Sequence, residues 1–307
     1  MLKAHVDNEL WLIQQPHHAQ VSGFLAAHWG GKNGFAKPGH YPGATHPERW
    51  HDEVVLGIAE HDNGWWETEA MPRISKQDGL PVGIGEAAEP TDENEFSAWI
   101  MDGFDRWRLG INRLAEPHPY AALLTSLHAY WLYAVTFEDL MPPNSDYLRH
   151  FVFGPPEIAK GLVNDPVSTR SFLVEQAEMQ KEIKDRLAET PELAGLIKKE
   201  HLNAHFWLLQ LMDSMSLLLA LNDTKTHTFN DVPRSSWDDR VTMIWKRRDA
   251  RTIELDPYPF GSEDLIIKMP ARILPYNELQ TDMPPMSRLH GTPLRSITFR
   301  MVSPSSS

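Results

Sequence analysis

The sequence predicts a mainly α fold, an all-α body carrying a small added β-sheet. Three observations predict it. Apolar residues recur at helical spacing across much of residues 16–221. From about Thr224 that pattern gives way to short apolar runs separated by prolines. At the start of the chain, a hairpin pattern precedes the first helix. The 307 residues suffice for one large domain or two modest ones. The reading here is a helical domain with its N-terminal hairpin at 1–223 and a β-rich portion packed on it at 224–307.

In order, Leu2 to Val6 and Leu10 to Gln14 are short runs joined by Asp7-Asn8, a plausible hairpin turn. After Pro16, Ala19, Val21, Phe24, Leu25 and Ala26 mostly follow the spacing of one buried helical face. Residues 30–50, rich in Gly, Pro and His, read as a loop. Arg49 to Glu60 reads as a helix that enters the core through Val54, Val55, Leu56, Ile58 and Ala59. Residues 67–92 are broken by Pro72, Gly79, Pro81, Gly83, Gly85 and Pro90, a long excursion expected to form a mobile site rim. Helices are expected near 93–115 and 119–141, the second stopped by Met141-Pro142-Pro143-Asn144. A charged helix follows at 166–189, started by Asp165-Pro166. After Thr190-Pro191 a further helical stretch leads into His201 to Leu221. Val241 to Trp245, Leu265 to Met269 and Ser296 to Val302 read as strands. An isolated hairpin is marginal in water, so the N-terminal one is expected to join this sheet.

Composition narrows the function. Net charge is −13, with no basic stripe to displace counterions, so no nucleic-acid partner is expected. The cluster Lys246-Arg247-Arg248 with Arg251 contains Asp249 and reads as solvated surface. No apolar run approaches the roughly 18–20 residues that span a bilayer, so no membrane partner is expected. The first residues lack a signal-peptide layout, and a cytoplasmic location is expected. Zero cysteines exclude disulfides, thiolate chemistry and iron–sulfur clusters. Fifteen histidines make a metal site worth seeking.

The stretch Glu60-His61-Asp62-Asn63-Gly64-Trp65-Trp66 is where to begin. Adjacent His and Asp can share one cation only if the backbone bends, and Asn-Gly permits a bend. Three other places offer partners. His18 sits in the first turn of an apolar helix. His128 lies amid Leu124, Leu127 and Trp131, where a histidine can equally be a hydrogen-bonded core residue. Asp213 is flanked by Leu208, Leu209, Leu211, Met212, Leu217 and Leu218. If buried there, its carboxylate must be paired with an Arg, protonated or metal-bound. His17 and His28 read as surface or structural residues.

The motifs Gln-Pro-x-His-Ala-x-x-Ser-Gly, Glu-His-Asp-x-Gly-Trp, Ser-Leu-His and Asp-x-x-Ser-Leu, in the order His…His-Asp…His…Asp, resemble the HD-domain superfamily of metal-dependent hydrolases. Within it, they look like a little-characterised bacterial family of unknown function. The resemblance covers roughly residues 14–220 and implies an HD-like helical bundle. It implies His18, His61, Asp62 and Asp213 as metal ligands, with His128 serving a second metal in dinuclear members. His201 or His205, neighbours at i and i+4, would then supply a further ligand.

The implied cofactor is a divalent transition metal (Mn, Fe, Co, Ni or Zn), one or two ions. The implied activity is phosphoester hydrolysis of a small-molecule substrate by a metal-activated water, with Asp62, Arg73 and Lys76 as catalytic or phosphate-meeting residues. Trp65, Trp66 and Trp131 are expected to wall the pocket. Two departures keep other readings open. Many relatives carry a lysine shortly after the His-Asp pair where this chain has Asn63-Gly64-Trp65-Trp66, and positive charge near the pocket is sparse. One alternative is a di-iron oxygenase of a small polar substrate, favoured by a secure ligand at His201 or His205. Another is a non-catalytic, metal-stabilised interaction protein. Homo-oligomerisation is left open.

Overall fold

A computed structural model describes residues 1–76, 78–84, 93–134, 137, 166–276 and 283–304. The expected helix stop at 141–144, the helix start at Asp165, positions 85–92 of the rim and residues 305–307 lie outside the described residues.

The chain opens with the hairpin β1 (Leu2–Val6) and β2 (Glu9–Ile13), paired from Leu2↔Ile13 to Val6↔Glu9. Asp7 takes the left-handed turn conformation at φ 51°, which Asp tolerates better than most residues. Side chains alternate across a strand, so β2 buries two faces in two different places. Trp11 and Ile13 join the main core, while Leu10 and Leu12 join a small second cluster with Leu80, Leu274 and Leu289. That is why Leu10-Trp11-Leu12-Ile13 is a continuous apolar run.

The helical layer comprises α1 (Gln15–His28), α2 (Pro47–Ala59), α3 (Trp66–Ala70), α4 (Glu93–Ala115), α5 (Pro119–Ala134), α6 (Pro166–Ala188) and α7 (Lys199–Ala220). A short strand β3 (Trp29–Gly31) and two 3-10 turns, Asn63–Trp65 and Ala194–Ile197, connect them. Helix α1 packs against α2, α7 and the sheet at once. It therefore shows little amphipathic pattern, as a helix covered on several sides should. Helix α7 is buried along nearly its whole length from His201 to Ala220.

The remaining strands are β4 (His227–Pro233), β5 (Arg240–Arg247), β6 (Thr252–Asp256), β7 (Asp264–Pro275) and β8 (Leu294–Val302), with a short helix α8 (Pro285–Gly291) before the last. Together with the hairpin they make one seven-stranded sheet in the order β1-β2-β7-β8-β6-β5-β4. All neighbours are antiparallel except β6 and β8, which pair in parallel from Thr252↔Arg300 to Glu254↔Val302. The inner face alternates cleanly in β7 (Leu265, Ile267, Met269, Ala271) and β8 (Ile297, Phe299, Met301).

This overturns the mainly α, all-α bundle with a small sheet. The protein is 49% helix and 23% strand, and its sheet is a curled, mixed half-barrel of seven strands. The cause of the error is physical. Only one face of most strands meets the helices, so Glu254 and Asp256 in β6, and Asn230 and Asp231 in β4, can point outward. Such strands offer few apolar residues to a sequence reading. The parallel β6–β8 pairing joins residues about fifty positions apart and leaves no local signal.

One contact fixes how the helices meet. A Cβ on Gly23 of α1 would lie 2.3 Å from Ala59 Cβ and 2.7 Å from Ala59 Cα, at the end of α2. Only glycine lets these helices approach so closely. Gly23→Ala is expected to cost about 1–3 kcal/mol by overpacking, read from urea unfolding midpoints. Adding Ala59→Gly should not restore stability, because the Cα of residue 59 still clashes. Full rescue by the double variant would show that the approach is not the constraint.

Candidate metal centre

The close approach of α1 and α2 sets His18 against the turn that follows α2. His18 Nε2 lies 2.9 Å from Asp62 Oδ2, although the residues are 44 apart in sequence. His61 and Asp62 occupy that turn. The 3-10 turn Asn63–Trp65 packs on α4, where a Cβ on Gly64 would fall 1.9 Å from the Arg106 carbonyl oxygen. The bend that sequence reading assigned to Asn-Gly is thus partly a packing requirement.

Helix α7 brings Asp213, and α5 brings His128. His61 Nε2 lies 3.4 Å from Asp213 Oδ1 and 3.7 Å from Asp62 Oδ2, and His128 Nε2 lies 3.5 Å from Asp213 Oδ2. The ligand atoms of His18, His61 and Asp62 lie within 4.8 Å of one another, as do those of His61, His128 and Asp213. All five residues are buried. Buried His/Asp groups at this spacing could hold a metal ion, whose bonds to N and O run about 2.0–2.2 Å.

The hydrogen bonds around the cluster test whether its donors suit a cation. A backbone carbonyl can only accept, so the 2.7 Å contact of His61 Nδ1 with Ile58 O places a proton on Nδ1. In the neutral ring Nε2 is then a lone pair, and it is buried with no hydrogen-bond partner among the described residues. His18 is held at both ring nitrogens. Its Nδ1 contacts Ser216 Oγ at 2.9 Å, and its Nε2 donates at 2.9 Å to the Asp62 carboxylate, which can only accept. A cation between the carboxylates would take the place of that proton. Imidazoles fixed at the far nitrogen, with the near one aimed between carboxylates, form a donor set suited to a cation.

Without one, the cluster must hold protons. Burial pushes His61 down, but Asp62 and Asp213 outweigh it and hold the imidazole up at about 9. Burial likewise pushes Asp62 up, but His61 and His18 outweigh it and keep the carboxyl below the usual range.

The cluster opens into a cavity of about 120 Å³ lined by His18, Asp62, His128 and Asp213 on one side. Of the expected wall, Trp65 lines it, meeting Trp107 edge-on with ring centroids 4.5 Å apart. Trp66 instead packs on His17 at 5.4 Å, and Trp131 is buried in α5 away from the lining. Of the expected cations, Arg73 lines the cavity and Lys76 does not. Arg106, Trp107 and Tyr133 line it and escaped the sequence reading. The pair Arg106-Trp107 within a charged helix was the available signal. Ser22 and Ser216 were visible only as motif positions without a role.

His201 and His205 are not part of this centre. They lie more than one helical turn away on α7, among Tyr41, Trp50 and Tyr120. The Gly39 N–H donates to His205 Nε2 at 3.1 Å, and His205 Nδ1 contacts the Tyr120 hydroxyl at 2.8 Å. Burial, then the neighbouring His201 and His51, hold His205 down at about 3. His17 is buried rather than on the surface.

Residues 1–276 match a family model described as "Protein of unknown function (DUF3891)", and the chain belongs to that family. No curated protein and no solved structure matches the chain. The family supplies neither an HD-domain assignment nor a hydrolase activity, so both of those labels lose the support of comparison. No described helix is long and apolar enough to cross a membrane.

Two outcomes follow from this geometry. Ser216→Ala removes the group that orients His18, and metal affinity should fall about 10–100-fold in competition with a chelating dye while the fold persists. Unchanged affinity would mean that Ser216 does not position His18. For His205, the folded protein resists protonation down to about pH 3, whereas the unfolded chain binds the proton near its ordinary value of 6.5. Stability should therefore fall as pH drops below about 6.5, at up to about 1.4 kcal/mol per unit. His205→Gln should be less stable than the parent at pH 7, and the gap should narrow at pH 6 and 5. A constant gap in urea unfolding would contradict the assignment.

Proposed function

We propose that this family member is a metal-dependent hydrolase of a small phosphoester. One observation carries the reading. The buried His61 Nε2 faces Asp62 and Asp213 at the floor of a cavity whose wall also holds Arg73 and Arg106. A donor set for a transition metal beside guanidinium groups suits an anionic ester better than a neutral one. The order of the ligands along the chain, which resembles that of the HD superfamily, supports the same reading.

A divalent cation held by His18, His61, Asp62, His128 and Asp213 would polarise a phosphoryl oxygen and acidify a bound water. The protein's own groups do the rest. The Asp62 carboxylate, kept ionised by His61 and His18, is suited to accept a hydrogen bond from the attacking water and orient it. Trp65 and Trp107 keep bulk water from the organic part of the substrate. Arg73 at the exposed mouth attracts the anion. The oxygenase reading relied on His201 or His205 as a further ligand, and both lie outside the centre.

The test is metal analysis of protein purified without chelators, followed by assays on p-nitrophenyl phosphate and a panel of phosphomonoesters and phosphodiesters. Bound transition metal and metal-dependent turnover are expected. Asp213→Asn should lower turnover by more than the roughly 10–100-fold typical of losing an outer-shell partner, with circular dichroism unchanged. Metal-loaded protein that cleaves none of the panel would sink the proposal.

A further inference from the structure

A second hollow, of about 270 Å³, opens where three segments meet away from the metal centre. They are the chain at Tyr41, the first turn of α7 and the β4–β5 connection that carries Trp237. His201, which lines the hollow, precedes Asp213 by twelve residues on α7, about 18 Å along a helix.

Two buried polar groups of this lining lack partners. Tyr41 and His201 are 3% and 2% exposed, and the Tyr41 hydroxyl and His201 Nδ1 have no hydrogen-bond partner among the described residues. A buried polar group is costly until something pairs with it. The neighbours fix both rings without satisfying them. Tyr41 stacks on His205 with ring centroids 5.5 Å apart, and Trp50 meets His201 edge-on at 5.1 Å. A Cβ on Gly43 would meet His201 Nε2 alone, at 3.8 Å, so that side of the ring is uncrowded. Burial holds the imidazole below its ordinary value against the pull of Glu200, so at pH 7 it is neutral and has a lone pair to offer.

The charge of the lining selects the sign of a ligand. Glu200 and Asp238 are exposed at the rim, and the described lining holds neither Lys nor Arg. An anion would meet two carboxylates, and the positive end of α7 already has Glu200 in its first turn. Trp237 adds an aromatic wall. Arg240 sets it, with its guanidinium 3.8 Å from the ring centroid and its Nε donating to the Trp237 carbonyl at 2.7 Å.

We propose that this hollow binds a small primary alkylammonium, whose N–H groups donate to the Tyr41 oxygen and the His201 lone pair, whose charge is balanced by Glu200 and Asp238, and whose alkyl chain lies against Trp237. An ammonium carries three donors and no acceptor, which suits two unpaired acceptors beside carboxylates. Aromatic walls with acidic rims favour organic cations for the same electrostatic reason. The site does not rest on the hydrolase reading.

The probes are butylamine, which is butylammonium at pH 7, its neutral counterpart 1-butanol, and butyrate, each titrated calorimetrically into the full chain. Butylammonium should bind about tenfold more tightly than 1-butanol, the scale of a charge-assisted hydrogen bond over a neutral one. Tyr41→Phe should weaken butylammonium binding about threefold to tenfold, and Glu200→Gln with Asp238→Asn should weaken it similarly. Because Tyr41→Phe deletes an unpaired hydroxyl, that variant should unfold at the same urea concentration as the parent or a higher one. A lower midpoint would show that the hydroxyl has a partner and would remove it from the site. Asp213→Asn should leave butylammonium affinity unchanged. Weakening by Asp213→Asn with Tyr41→Phe silent would seat the amine in the metal centre and overturn the proposal. Equal affinity for butylammonium and 1-butanol, or tighter binding of butyrate, would overturn it as well.

Discussion

Two carboxylates buried within reach of three imidazoles set the terms for this protein. Asp62 and Asp213 are each nearly inaccessible to solvent, and an uncompensated buried carboxylate is among the costliest features a fold can carry. His18, His61 and His128 surround them, and the sum is tolerable only with a proton or a cation in the middle. The five come from four places: α1, the turn after α2, α5 and α7. The backbone geometry of α1, α2, α5 and α7 must therefore be correct together before any of these contacts forms.

That dependence explains features that have nothing to do with chemistry directly. Gly23 exists so that α1 can touch Ala59 at the end of α2, which is how His18 reaches Asp62. Gly57 lets α2 lie against Ala121 of α5, the helix that carries His128. Ser22 and Ser216 look like ordinary small residues at a helix interface, yet Ser216 holds the Nδ1 side of His18 and Ser22 in turn contacts Ser216. The sheet completes the arrangement. It covers α1 as well, with β7 against that helix and the inner faces of β7 and β8 filling the core.

Much of the centre was legible along the chain because helical periodicity and polarity conflict at the ligands. Asp213 within a run of leucines, and His61-Asp62 after an apolar helix, are local contradictions that only an internal partner resolves. The same reasoning misplaced His201 and His205. A shared helix with Asp213 says nothing about which end of it meets the cavity, and these two found partners in Gly39 and Tyr120 instead. Trp66 and Trp131 failed for a related reason. An aromatic next to a ligand in sequence can point to the other face of its element, as Trp66 does toward His17. Arg106 and Tyr133 were invisible because each is an ordinary residue on its own helix and only the fold brings them to one cavity.

The sequence by itself determined the helices of the first two thirds, the places of the clustered His and Asp residues on or beside them and the strand character of the end of the chain. These follow from local periodicity, capping and turn chemistry, which act over a few residues. Only the tertiary structure decided that seven strands form one curled sheet with β6 beside β8. It alone decided which polar residues share the cavity. Both outcomes depend on long-range packing, where a glycine such as Gly23 or Gly57 acts through the close approach that it allows, and such an approach has no signature in the order of residues.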